Sequence, residues 1–353
     1  MKRKNQMPGL FDYENQLEKI NAHQPPLNKL DKVIEWEIFR KPIEEALYIE
    51  PKAPGGRPPF DRLMMFKILI LQKYYNLSDE QTEFQIKDRL SFMQFLGLQI
   101  GDKVPDEKTI WLFKEQLKEK KLSEDLFNLF TGQLFTHGVV AKEGSIVDAS
   151  FVDVPRQHNT REENADIKKG AVPLEFAKKD KNGKRSKLSQ KDTDATWMTK
   201  GGERHFGYKD HVNVDTKTKL ITKYSVSGAS PHDSTELENL IDETDNQLHA
   251  DSAYRSEKIE KYLKEKKCES HIHEKGYRAN PLTEQQKESN TVKSKIRARV
   301  EHIFGFMTNS MHDALHMRCI GKERVESAIG FLNLTYNLFR YEQLVRLQKV
   351  KMI

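Results

Sequence analysis

Ser145-Ile-Val-Asp-Ala-Ser-Phe-Val-Asp-Val154 follows Gly144 and changes the character of the chain. Ile146, Val147, Phe151, Val152 and Val154 make it rich in β-branched and aromatic residues, which predicts a strand. Asp148 lies inside this apolar run, and strand parity turns Asp153 to the opposite face. Strand signals return at 205–214 and 220–226 around a turn at 215–219, a plausible hairpin. A helix at 234–244, a strand at 247–250, a helix at 256–266 and a strand at 269–272 follow. Helices at 292–308 and 322–347 close the chain. Three strands followed by alternating helices and strands imply an α/β fold, a ribonuclease-H-like mixed sheet with flanking helices.

Upstream the pattern is helical. Leu63–Tyr75 is a compact apolar helix, and Ser78 with Gln81 three residues later forms a capping-box start for the next. Helices at 106–120 and 123–136 end at Gly138. Three regions are expected: an irregular amino-terminal arm at 1–56 with one helix near 31–47, an all-helical domain at 57–138, and an α/β domain at 139–347. A polar, basic insertion at 156–200 interrupts the last of these.

Of 353 residues, 37% are hydrophobic and 32% charged, enough for about two domains with heavily charged surfaces. The two cysteines, Cys268 and Cys319, show neither a disulfide framework nor ligand spacing, as expected of a reducing cytosol. No apolar run reaches the length of a membrane span, the longest (63–71) being broken by Lys67, and no leader pattern is read at Met1. The net charge of +6 is modest, but between Lys178 and Lys191 seven Lys/Arg face one acid, Asp180. Such a run attracts phosphate, and a solvated loop accounts for it equally well.

Phosphodiester chemistry by two divalent ions needs isolated acids at the ends of apolar strands. Asp148, Asp251 and Glu301 are the candidates, each with an ordinary alternative. Asp148 could pair with a Lys or Arg at a strand edge. Asp251, after Leu248-His-Ala250, could cap the helix that begins near Ser256, though it lies early for that. Glu301 borders the stripe Ile296, Val300, Ile303 and Met307 and could simply pair with Arg297 one turn earlier. Gly305 would allow close approach of a neighbouring element. His205, His211 and His249 match no zinc spacing. Asp192 and Asp194 read as solvated. Trp197 and Tyr208 among Lys200, Arg204 and Lys209 suggest either nucleic-acid contact or core packing.

Four blocks carry a family resemblance. Ile146–Pro155, His205–Asp215 (His-Phe-Gly-Tyr-Lys-Asp-His-Val-Asn-Val-Asp), Ala250–Tyr254 and Arg297–Gly305 (Arg-Ala-Arg-Val-Glu-His-Ile-Phe-Gly) resemble, in order, the conserved blocks of bacterial insertion-sequence transposases of the DDE class, most closely the IS-five family. Residues 57–117 resemble that family's amino-terminal domain. The resemblance implies a triad of Asp148, Asp251 and Glu301 holding two Mg²⁺ or Mn²⁺ ions, with Asp148 bridging them. It implies cleavage at the inverted-repeat ends of a transposon and joining of the freed 3′-hydroxyl to target DNA. It further implies double-stranded DNA as partner, a homodimer on DNA, and a cytoplasmic, nucleoid-associated location. Arg297, Arg299, Lys209, Lys184, Arg185 and Lys187 are the expected phosphate contacts. The wider signature often has Tyr seven residues before the glutamate and Lys or Arg seven after; here Ser294 and Thr308 stand there. A nuclease of the same fold without strand transfer, and a DNA-binding protein that has lost catalysis, are the alternatives.

Overall fold

The computed structural model describes residues 9, 11–48, 50, 58–140, 143–178, 190–277 and 281–352. Their contacts divide into two compact units, one drawn from 1–72, 77–116 and 342–353, the other from 73–76 and 117–341.

The first unit is helical. α1 (Asp12–Ala22), α2 (Pro26–Asp31), a 3₁₀ turn (Trp36–Phe39) and α3 (Arg40–Ala46) precede α4 (Arg62–Tyr74), α5 (Asp79–Asp88), α6 (Leu90–Leu96) and α7 (Glu107–Glu119). The arm expected at 1–56 is therefore more ordered than its polar composition suggests. Pro25-Pro26 starts α2, with proline at a first-turn position that needs no N–H, instead of breaking the chain. Leu27, Leu30, Phe39 and Ile43 are fully buried. Trp36 meets Phe66 and Phe95 edge-on, with centroids 6.2 and 5.6 Å apart. The capping box at Ser78 and Gln81 forms as read.

The second unit begins with α8 (Leu122–Thr136) and β1 (Ser145–Asp153). After α9 (Arg161–Lys168) and α10 (Leu174–Ala177) come β2 (Thr196–Lys200), β3 (Glu203–Asp215) and β4 (Ile221–Gly228). A 3₁₀ turn (Asp233–Glu236), α11 (Leu237–Leu240), β5 (Gln247–Ala250), a second 3₁₀ turn (Ser252–Tyr254), α12 (Glu257–Glu265) and β6 (Glu269–Ile272) follow. α13 (Glu284–Gly305), a π-helical turn (Phe306–Ser310) and α14 (Lys322–Arg346) complete it. α13 starts eight residues before the expected Val292, at a capping box formed by Thr283 and Gln286. The helix expected over 234–244 is only the 3₁₀ turn and the single turn of α11.

The sheet is mixed, in the order β2-β3-β1-β5-β6, with β4 also paired to β3. β1, β3 and β4 are antiparallel neighbours, and β5 and β6 run parallel to β1. Taken through β4, this is the ribonuclease-H-like strand order expected from the sequence. β2 was not expected. It lies in the polar insertion and pairs with the first residues of β3, Trp197 opposite Phe206. One sheet face carries Val147, Leu248, Ala250 and Ile272 into a core with Leu237, Leu240, Ile259 and Leu263. α14 is bound to the β3–β4 hairpin through polar groups: Asn337 bonds both the N–H and the carbonyl of Ile221, and Arg340 donates to the Thr218 carbonyl. Two glycines permit close approach. A Cβ on Gly207 (φ +152°) would lie 2.2 Å from the Val152 carbonyl oxygen, and one on Gly330 would lie 2.6 Å from the Tyr224 hydroxyl. Gly305, expected to serve this purpose, has open space around it.

Asp210 of β3 is completely enclosed. One carboxylate oxygen accepts from Asn333 Nδ2 at 3.1 Å, and the other meets no partner among the described residues. Burial pushes its carboxyl up to about 7. An acid whose folded value exceeds its unfolded one keeps its proton in the native state alone, so its stability contribution is full below about pH 4 and is lost as pH rises through about 7. Denaturant unfolding of the wild type at about pH 5 and pH 8 should therefore differ by about 3 kcal/mol from this group. His211 and His249 titrate over the same range in the opposite sense, so the contribution is read by comparison: the change in stability from pH 5 to pH 8 should be more favourable in Asp210→Asn than in the wild type by about 3 kcal/mol, and an unchanged pH slope in the variant would refute the assignment.

Candidate active site

β1 carries Asp148 in its middle, opposite Val212 of β3. On its other side β1 runs parallel to β5, with Ser145 level with Leu248 and Ile146 with His249. That register is an offset of 103 residues, which is also the separation of Asp148 from Asp251. β5 ends at Ala250, so the same register carried past its end sets Asp251 level with Asp148. By parity Asp251 shares the side of His249, away from the core formed by Leu248 and Ala250. Asp251 caps the 3₁₀ turn that follows it, accepting the Ala253 N–H at 2.7 Å.

α13 supplies the third carboxylate. Val300 and Ile303 are buried, which fixes the helix against the sheet and leaves Arg297 and Glu301 on its flank. The Arg297 guanidinium joins two acids: Nη1 donates to Asp148 Oδ2 at 2.8 Å, and Nη2 to Glu301 Oε1 at 3.2 Å. Asp148 has 17% of its side chain exposed and Arg297 25%, whereas Glu301 has 65%. Burial raises the Asp148 carboxyl above the ordinary carboxylate range, and the neighbouring charge of Asp251 adds to it. The Ala149 N–H, Arg297 and Lys200 act in the opposite direction. Tyr254, buried below, is also pushed well up, first by burial and then by Asp148, Asp233 and Asp251. The charges of Asp148 and Asp251 thus act on one neighbourhood, and Arg297 answers them.

Two of the three ordinary roles offered by local sequence are realised. Asp148 pairs with an arginine and Glu301 with the residue one turn earlier, but α12 is capped by Ser256, and Asp251 caps the 3₁₀ turn before it. None prevents the three from forming one site. Carboxylates are the hard oxygen donors that Mg²⁺ and Mn²⁺ take, and Asp148 is a largely buried carboxylate already drawing a cation, Arg297, to itself, so the donor set fits a divalent cation. Among the described residues no three acidic, His or Cys side chains are already gathered closely enough to hold an ion. Glu301 is linked to Asp148 through Arg297, whose guanidinium occupies the space between the two carboxylates.

The expected phosphate contacts fare differently. Arg299 donates to the Thr216 carbonyl at 2.6 Å. Lys209 is buried, 2.7 Å from Asp233 and donating to the Pro231 carbonyl at 2.7 Å. Lys209 is committed to protein partners because β3 is a central strand that encloses its side chains, whereas Arg299 stays exposed on α13. Lys209 therefore presents no free ammonium at the surface, while Arg299 remains accessible beside its bond to Thr216. Lys184, Arg185 and Lys187 lie outside the described residues. Ser294 bonds His273 Nε2 at 2.9 Å, and the Thr308 hydroxyl donates to the Phe304 carbonyl at 3.0 Å.

Asp192, read as solvated, is buried. It accepts the Tyr208 hydroxyl at 2.7 Å and the Gly321 N–H at 2.9 Å. The three histidines make separate contacts. His205 stacks on Phe151, His211 bonds Ser227, and His249 stacks on His271. Burial holds His211 and His249 down near 4. Sequence reasoning missed the double engagement of Arg297, because its contact with Asp148 spans 149 positions and only the one-turn pair is visible locally.

Comparison with known proteins agrees with this geometry. Residues 141–338 match the family described as Transposase DDE domain, and residues 14–116 match a second, Transposase domain (DUF772). The chain belongs to the Transposase DDE domain family. It is a DDE-type DNA transposase, an enzyme class that uses divalent metal. A solved structure, the cryo-EM piggyBac transposase synaptic complex with hairpin DNA, is similar at a TM-score of 0.43 and 11% identity, covering 92% of this chain and 74% of that one.

Proposed function

We propose that the protein cuts DNA at the inverted-repeat ends of its own transposable element and joins the freed 3′-hydroxyls to target DNA, with Asp148, Asp251 and Glu301 as the residues that hold two Mg²⁺ or Mn²⁺ ions. The observation that carries this reading is the Arg297 guanidinium held between Asp148 and Glu301, beside a strand end that sets Asp251 level with Asp148. It marks a place where carboxylates converge and require positive charge. Bound there, the divalent ions supply Lewis-acid activation of the attacking oxygen and stabilisation of the leaving one.

The chain's residues do the rest. Asp148, on a rigid central strand, anchors the site. Asp251, held by its cap, stays oriented. Glu301, exposed on α13, is free to turn inward. Arg297, once released from the acids, faces the scissile phosphate, which a guanidinium grips in bidentate fashion. We further propose that residues 57–138 contribute to recognition of the ends, that a homodimer pairs two of them, and that the chain falls within the IS-five family.

The test uses the full chain with the DNA that flanks its gene, cut so that a matched inverted repeat lies inside the fragment. With Mg²⁺ or Mn²⁺ the protein should nick at the repeat boundary and leave a 3′-hydroxyl, and pre-cut ends should be joined into a supercoiled plasmid. EDTA should abolish both reactions. Cutting without joining would favour a nuclease, and cutting that survives EDTA would overturn the metal triad.

A further inference from the structure

We propose that the β2–β3 ribbon forms a second DNA-contact site, separate from the carboxylates, in which the Trp197 indole stacks on a base of an unpaired strand while Arg156 and Arg204 hold the adjoining phosphates. The inference rests on the transposase reading and names a substrate feature that reading leaves open.

Trp197 lies on a strand yet is 47% exposed. Phe206 supports one side of it, with ring centroids 5.0 Å apart and planes tilted by 42°. Two guanidiniums stand by the same indole, Arg156 at 5.8 Å and Arg204 at 5.7 Å from its centre. They come from different segments, one just past the end of β1 and one from the start of β3, and Arg156 donates to the Arg204 carbonyl at 3.4 Å. Neither forms an ion pair with a carboxylate among the described residues. The ribbon turns through Gly201 and Gly202, both at positive φ (+60° and +89°), a conformation that side chains resist. Every residue from Trp197 to Arg204 is exposed, so none of the described residues forms a core over this surface. Lys200 adds a third cation, 5.7 Å from the Phe151 ring.

An aromatic face between arginines suits one ligand chemistry. Any base can stack on the indole, and guanidinium groups grip phosphate, so contact is tolerant of sequence. Paired bases inside a duplex already stack on each other and offer no free face. The site therefore selects unpaired DNA. β3 also places it relative to the chemistry: Val212 lies opposite Asp148 and Phe206 opposite Trp197, six residues apart along one strand.

Tryptophan fluorescence tests the proposal on the full-length protein in EDTA, where nothing is cut. Titration with oligo(dT) should quench emission, and a duplex of the same length should quench much less. Trp197→Phe should remove most of the quenchable signal, with the buried Trp36 left as an internal reference and Trp111→Phe added so that the exposed indole of the helical unit does not contribute. Trp197→Ala should weaken oligo(dT) binding about tenfold, and Arg156→Gln with Arg204→Gln should flatten its salt dependence. Because Trp197 is exposed, each variant should melt with the wild type. Equal quenching by duplex and single strand, or undiminished quenching in Trp197→Phe, would overturn the site. If that happens while Mg²⁺-dependent cutting of transposon ends persists, the inference alone fails. If no DNA is ever cut, the transposase reading fails, and the fluorescence result still decides the ribbon.

Discussion

Asp148→Asn is expected to leave the fold intact and slow end cleavage by about a thousandfold or more. The carboxamide has nearly the shape of the carboxylate and keeps an oxygen to accept the Ala149 N–H, a bond of 2.9 Å in the native protein. What it loses is charge. An ion at a phosphoryl centre supplies several kcal/mol of stabilisation to the developing charge, and each 1.36 kcal/mol is a factor of ten in rate. Stability should move little, within about 1 kcal/mol, because two effects oppose. The neutral side chain no longer bears the burial that raises the native carboxyl, and it no longer attracts Arg297. Asp251→Asn, which keeps its cap, and Glu301→Gln, on an exposed side chain, should show the same split between activity and stability. Asp153→Asn is the control on the same strand. Its carboxylate faces His205 at 3.3 Å, away from the triad, and cutting should persist. Mg²⁺-dependent cleavage by Asp148→Asn at the wild-type rate would remove Asp148 from the site.

Much of this arrangement is legible in the residues, and the remainder fails to be for identifiable reasons. The apolar run around Asp148, the short strand before Asp251 and the stripe beside Glu301 are local patterns, and each gives its element. Their convergence is not local. The 103-residue separation of the aspartates has meaning only once β1 and β5 pair in parallel at that same offset. β2 escapes periodicity because it is exposed on both sides, so Thr196–Lys200 has no apolar alternation to read. Lys209 reads as a surface cation in sequence, but a central strand encloses it and Asp233 answers its charge. The early start of α13 was visible in principle, since Thr283 with Gln286 is the same capping pattern that correctly marked Ser78.

Arg297 is the residue whose two states should be separable by experiment. It neutralises Asp148 and Glu301 in this structure, and on the proposed reading bound metal would displace it from both. Arg297→Gln removes the cation and leaves Asp148 with its burial and the charge of Asp251 unanswered. Losing one member of a largely buried pair is costly, and the residual exposure of both side chains moderates the loss to about 2 kcal/mol in EDTA. Two further measurements give the effect its meaning. Adding Mn²⁺ should restore the variant's melting temperature, because the ion supplies the missing positive charge, and apparent Mn²⁺ affinity should tighten about tenfold without a guanidinium competing for the same oxygens. Cleavage should nevertheless fall, since the group proposed to face the phosphate is gone. In the double variant with Asp148→Asn the destabilisation should vanish, because no buried charge remains to be answered. Arg297→Lys should recover stability in part and not the full effect: an ammonium is a single point charge and cannot span two carboxylates as the planar guanidinium does. Metal affinity that stayed the same in Arg297→Gln would mean that the guanidinium and the ions do not share a site, and the convergence of carboxylates on Arg297 would then be structural alone.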